Sequence, residues 1–277
     1  MQFVDCAMAR RLEAAEAVPQ LHYATVLARM RPEIGAACED IAGGNMAFAG
    51  VGSPVGRAIG QGLTGPVSAA DVDRIEAFYH SRHAPAQVDV CPLAHDSLME
   101  LLAKRRYHVT ELNNVLALAL SPQGAFGTAA VPGIELRPCA PEQASLWGEI
   151  VQRGFQGLMT QDCPDLNSIV IPQAFCPGTT VTLAWEGDQA VAGAACMVVP
   201  ERRMVALFGA ATLPAARGRG IQTALLRARL QYAVAQGCDL AVIVTRAGTT
   251  SQRNAERLGF RVAYSKVTVV LPPETTR

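Results

Sequence analysis

The chain has no Cys-x-x-Cys pair, although it carries eight cysteines. Without that spacing, zinc-ribbon and thioredoxin-like readings have no support. Most of the eight stand in apolar runs, as reduced buried thiols do, so a reducing cytoplasm is the expected compartment. No histidine follows His108. A Ser/His or Cys/His nucleophilic centre is therefore not expected in the second half. His80 and His83 could share a metal on one helix, but no third ligand is placed, and no metal is expected. Charge of either sign is not in excess: the formal net charge is zero, which implies no nucleic-acid or membrane partner. No apolar run approaches the length of a membrane span. Asp5, Arg10, Arg11, Glu13 and Glu16 interrupt any signal-peptide core at the start. What remains is a slightly apolar soluble composition, with 50% hydrophobic and 17% charged residues among 277, enough for one large domain or two small ones.

The stretch from Met204 to Tyr232 carries the most chemistry. Met204 to Ala211 is rich in Val, Leu, Phe and small residues and predicts a strand, which Pro214 ends because proline cannot donate to a ladder. Arg217-Gly218-Arg219-Gly220 forms a turn. From Ile221 the apolar residues Ile221, Ala224, Leu225, Ala228, Tyr232 and Ala235 fall at helical spacing, with that face buried. The first amides of a helix lack intrahelical partners and carry partial positive charge. Gly218 and Gly220 allow close backbone approach, and two guanidinium groups flank the turn. The combination suits a pyrophosphate. A tight strand-to-helix turn with no ligand reads from the same residues. The spacing is neither G-x-x-x-x-G-K nor G-x-G-x-x-G, so nucleoside triphosphate and dinucleotide readings fall.

Arg217 to Gln222 resembles the coenzyme A loop of the GNAT family of acetyl-CoA-dependent N-acetyltransferases, whose motif is Q/R-x-x-G-x-G/A at a helix start. Arg217 and Gly220 match, and Gln222 departs from the usual small sixth residue. Asn254-Ala255-Glu256-Arg257-Leu258-Gly259-Phe260 is similar to the family's second signature, a short helix ending in L-G-F. The resemblance covers about 134–271. It implies a cofactor site at Ala210, Ala211, Thr212, Arg217, Gly218, Arg219, Gly220, Ile221, Gln222, Thr223 and Asn254. The backbone amides near Ala210 to Thr212 would polarise a thioester where the strand splays and the pantetheine arm adds as a strand.

Elsewhere the pattern alternates helices and strands. A helical stretch from Val4 to Arg29 is expected to break near Pro19. A hairpin turns at 42–45, Ser68 with Asp71 forms a capping box, and Tyr107 to Leu120 holds one or two strands. Glu186-Gly187-Asp188 turns a second hairpin. The run 121–133, with its glycines, prolines and small residues, fits a linker. The two sides of it look alike. Met46 to Gly50 resembles Val205 to Gly209, Leu101 to Tyr107 lines up with Asn254 to Phe260, and Arg57-x-x-Gly60-x-Gly62 repeats the loop motif. No helix starts directly behind that first loop, so it is expected to be structural or to line the active cleft. The expected fold class is α/β (α+β): two GNAT-like domains, each a mixed, mostly antiparallel sheet flanked by helices. A degenerate copy would occupy 1–120 and an acetyl-CoA-binding copy 134–277.

The reaction this implies is acetyl transfer from acetyl-CoA to a primary amine of a small molecule, amino acid or peptide, by direct attack in a ternary complex. No metal, nucleic acid or membrane is involved; a homodimer is left open. The family often has a tyrosine four residues before the glycine of L-G-F, and here that position is Ala255. Tyr264 and Ser251 are the candidates for the acid role. Tyr232 reads as core, Glu186 as solvated, and Asp162 and Cys163 as weaker alternatives. Water or an already neutral amine could replace a protein base. A non-catalytic acyl-CoA-binding or sensor protein, or an interaction scaffold, are the competing readings.

Overall fold

The computed structural model describes residues 3–122, 126–127, 130–156 and 166–273, the side chains of 166–168 excepted. Asp162 and Cys163 lie outside the described residues, as does part of the 121–133 linker.

Asp5 caps the first helix, α1 (Cys6–Met30), its side chain accepting from the Met8 amide at 2.8 Å. The break expected near Pro19 does not occur. Leu12 and Ala15 before the proline and Tyr23 and Leu27 after it are all buried, and this packing outweighs the lost hydrogen bond. A hairpin follows, β1 (Ala37–Ile41) and β2 (Gly44–Phe48), turning through Ala42 and Gly43 at positive φ. Then come β3 (Ala58–Ile59), α2 (Ala69–His80) behind the Ser68/Asp71 capping box, β4 (Ala86–Val90) and α3 (Asp96–Lys104). The run after Tyr107 is one strand, β5 (His108–Ala119).

The later elements are β6 (Glu135–Pro138), α4 (Ala144–Phe155), α5 (Leu166–Ala174), β7 (Thr179–Glu186), β8 (Gln189–Val199), β9 (Met204–Thr212), α6 (Ile221–Ala235), β10 (Leu240–Arg246), α7 (Thr250–Arg257) and β11 (Arg261–Leu271). These elements form two compact units that are not consecutive in sequence. The first runs to Leu116 and takes in Val244–Thr249 and the segment from Arg261 onward; the second is Ala117–Ile243 with Thr250–Phe260. Among the described residues, no helix is long and apolar enough to cross a membrane.

In the first unit the strand order is β1-β2-β3-β4-β11-β5. β11 lies antiparallel to β4, with Val267 opposite Val90 and Leu271 opposite Ala86. The last strand thus completes the first unit, whereas a single division at 121–133 assigns it to the second. Alternating residues mark a strand but do not say which sheet it joins. Val72, Ile75, Phe78 and Tyr79 of α2 pack with Val88, Val90 and Val269 to form the core of this unit.

The second unit has the order β10-β9-β8-β7-β6. Its pairs are antiparallel except β9 with β10, which is parallel. Trp147, Ile150 and Val151 of α4 pack with Leu183, Ala195 and Ala211. Ile221 and Leu225 of α6 pack with Ala184, Ala192 and Ala194. Neighbouring strand residues point to opposite faces, so α4 and α6 cover opposite faces of this sheet. The α/β class expected from the sequence is the one observed.

Candidate functional site

The site starts where β9 stops being an ordinary strand. Its pairing with β10 matches Leu207 to Ile243 and ends there, while β9 continues to Thr212. Against β8, Ala195 pairs with Phe208 and Gly193 with Ala211. Gly209 and Ala210 therefore oppose the single residue Ala194, which makes a bulge. Gly209 has φ +56°, as the first residue of a glycine bulge requires. The indole of Trp147 donates to the Gly209 carbonyl at 3.1 Å. A Cβ on Gly209 would sit 2.5 Å from that ring, so only glycine fits. A glycine inside a strand pattern is the sequence signal for such a bulge.

Beyond β9 a short turn at Pro214–Ala216 leads to Gly218 and Gly220, at φ +78° and +82°. Gly220 is the N-cap of α6 and has no side chain to close the helix end. Among the described residues, no protein oxygen accepts from the amides of Gly218, Arg219, Gly220, Ile221, Gln222 or Thr223. The next amide, Ala224, reaches the Gly220 carbonyl at 3.1 Å. Six successive donors with the positive end of a helix dipole behind them form an anion cradle.

The guanidinium groups are placed differently from the expectation. Arg217 donates to the Thr212 carbonyl at 3.2 Å and to the Gly154 carbonyl at 2.8 Å, which ties the loop to the ends of β9 and α4. Arg219 forms two hydrogen bonds with the exposed Glu186, at 3.1 and 2.7 Å. That pairing raises the arginine's pKa and lowers the carboxyl's. Gln222 donates to the Thr212 hydroxyl at 2.7 Å. The cradle is thus built from backbone amides, and Arg217 holds its shape. Arg217→Ala is expected to cost about 1–2 kcal/mol of stability in urea denaturation. The variant's acyl-CoA binding should keep the salt dependence of the parent's. A flatter dependence in the variant would put the guanidinium on the phosphate instead.

The buried face of α6 is rotated from the expected one. Ile221, Ala224, Leu225, Leu226, Arg229, Leu230 and Ala233 are buried, Tyr232 is half-buried and Ala235 is exposed. Asn254 and Ser251 stand three residues apart on α7, which packs against α6; Asn254 is half-buried and Ser251 exposed. Tyr264 belongs to the first unit, where its hydroxyl donates to the Glu13 carboxylate at 2.7 Å. Burial and that carboxylate push its pKa far up, which leaves the acid role expected of it without support.

The first-half copy of the loop motif is committed to its own unit. Arg57 donates to Asp89 at 3.2 Å, Thr268 at 3.1 Å and the Pro54 carbonyl at 3.1 Å. Gly62 N–H reaches the Ala42 carbonyl, and Val67 N–H the Ser97 hydroxyl. Ser68 and Asp71 close the N-terminus of α2 themselves. These residues do structural work, as the missing helix start suggested.

A bulged strand, a glycine turn and an open helix N-terminus thus stand together within a mixed sheet. Residues 148–260, under half of the chain, match the sequence model of the Acetyltransferase (GNAT) family. It is similar in structure to a GCN5-related N-acetyltransferase from Kribbella flavida, with TM-score 0.64, 16% identity, and coverage of 91% of this chain and 96% of that one. It is also similar to a tandem GNAT protein from the clavulanic acid biosynthesis pathway, with TM-score 0.62, 15% identity, and coverage of 97% and 95%. A Drosophila protein matches over 99% of both chains with TM-score 0.56 and 15% identity. At these identities the likeness is one of fold, and it supports a tandem arrangement. No curated protein matches the chain.

Proposed function

We propose that the protein is an N-acetyltransferase that moves an acetyl group from acetyl-CoA to a primary amine by direct attack in a ternary complex. The carrying observation is the row of six uncommitted amides from Gly218 to Thr223 at the open end of α6. The diphosphate of the cofactor sits on that row. The pantetheine arm runs along β9 beyond Leu207, where pairing with β10 stops. The thioester carbonyl meets the amides near Ala210 and Ala211, with Asn254 against the arm. The amine attacks the thioester carbon, its proton leaves to water, and coenzyme A departs as the thiol after its sulfur takes a proton from Ser251 or water. The acceptor is a small molecule, amino acid or peptide.

A second reading, a non-catalytic acyl-CoA sensor, draws on two observations. Ala255, fully buried, stands where the family often has its tyrosine, and the Tyr264 hydroxyl is held by Glu13. Two measurements separate the readings. Acetyl-CoA at a hundred times its Kd should add about 2.7 kcal/mol of stability. Incubation with a panel of primary amines should then release free thiol. Stabilisation with no thiol release from any amine supports the sensor. No stabilisation by acetyl-CoA removes both.

A further inference from the structure

A carbonyl in the β9 bulge and one beside it on β8 each accept from a buried side chain outside the loop motif. On the α4 face, the Trp147 indole, fully buried, donates to Gly209 O at 3.1 Å. On the α6 face, Arg229 donates from Nη1 to Ala195 O at 2.9 Å and from Nε to Leu225 O at 3.2 Å. Ala195 is the β8 residue that pairs with Phe208, immediately before the bulge. Arg229 is 3% exposed. Its ion-pair partners would be Asp or Glu, and among the described residues none pairs with it. Burial pushes its pKa down to about 10. A lone buried cation is costly unless its position is used.

We propose that Trp147 and Arg229 are positioning residues for acyl transfer, Trp147 fixing the bulge and Arg229 the β8 residue beside it, so that the bulge amides hold the thioester carbonyl. Arg229 adds a fixed positive charge behind the strand, where negative charge develops on that carbonyl oxygen as the amine attacks. The inference rests on the acetyl-CoA site proposed above. It adds two residues that neither the loop motif nor the L-G-F signature contains. The role has a stability signature. Arg229→Met relieves the desolvation of a buried charge but removes the donor to the Ala195 carbonyl, so its stability should change little while function falls. A residue that serves only the fold would do the opposite.

The test needs no acceptor. Binding of acetyl-CoA and of coenzyme A is measured by calorimetry for the parent, Trp147→Phe, Arg229→Met and Arg229→Lys. The infrared carbonyl band of bound, carbon-13-labelled acetyl-CoA is recorded alongside. The parent should lower the thioester carbonyl frequency relative to free acetyl-CoA. Trp147→Phe and Arg229→Met should return it most of the way, with coenzyme A affinity held within about twofold and acetyl-CoA preference lost. Arg229→Lys, which keeps the charge, should recover part of the shift. If Trp147→Phe fails to fold, benzothienylalanine incorporated at position 147 removes the N–H and keeps the shape. Unchanged carbonyl bands in the variants, or equal loss of both ligands, overturn the positioning role. A parent that binds neither ligand overturns the acetyl-CoA site itself, which is a separate result.

Discussion

Gly220→Asp is expected to abolish acetyl-CoA binding while leaving the protein folded. Gly220 sits at φ +82° as the N-cap of α6, and a Cβ there would meet only Val131 Cγ2, at 4.0 Å. There is room for the side chain, and the left-handed backbone costs about 1–2 kcal/mol. Aspartate is also a favoured N-cap, worth about 1 kcal/mol where its oxygen reaches the second or third amide. The two effects nearly offset, so the unfolding midpoint should move little. Binding is another matter. The carboxylate would occupy the same amides as the diphosphate and repel it. Two like charges about 4 Å apart cost about 4 kcal/mol at the effective dielectric of a protein surface. Affinity should therefore fall by two to three orders of magnitude, read as loss of the acetyl-CoA-induced thermal shift. Gly220→Ala carries the strain without the charge and should lose far less. Equal affinities for parent and Gly220→Asp would mean that the amides from Gly218 to Thr223 hold nothing.

The residues behind that prediction were readable because their signals are local. Ile221 starts α6 as the apolar spacing indicates, and Gly218 and Gly220 both need positive φ. The capping box at Ser68 and the hairpin at Glu186 to Asp188 follow from turn residues in the same way. What the sequence did not reveal depends on distant partners. Arg217 matches the family's motif residue by residue, yet its guanidinium reaches the carbonyls of Thr212 and Gly154. Arg229 lies one residue off the apolar face drawn from the spacing, and its burial follows from helix rotation against β8. The alternation in β11 identifies a strand, but nothing in it assigns that strand to β4. Gly209 is intermediate. A glycine within a strand pattern signals a bulge, but only the fold supplies the tryptophan that fixes it.

Lys266→Met is expected to be the most destabilising single change in the first unit, at about 3–5 kcal/mol. The ammonium is buried and meets three carboxylates: Glu13 and Asp89, each at 3.1 Å, and Glu16. Methionine fills much of the same volume but leaves two of the three with no cation, while Asp89 keeps Arg57 at 3.2 Å. The pH dependence identifies the cause. Burial alone would raise the Asp89 carboxyl, but Arg57 and Lys266 overcome it, and it is held down to about 2 from an ordinary 3.8. A depressed carboxyl contributes stability above its unfolded value, so the parent loses that contribution as pH falls from about 4 through about 2. Glu13 goes the other way: burial raises it, against the pull of Lys266 and Tyr264. Removing Lys266 raises it further. A raised carboxyl contributes stability below its unfolded value and loses it as pH climbs through the folded one. The deficit of Lys266→Met should therefore be largest near pH 7 and shrink toward pH 4, where Glu13 takes up a proton. Urea denaturation of parent and variant at the two pH values reads this directly. A deficit of the same size at both would mean that lost packing, not uncompensated charge, sets the cost.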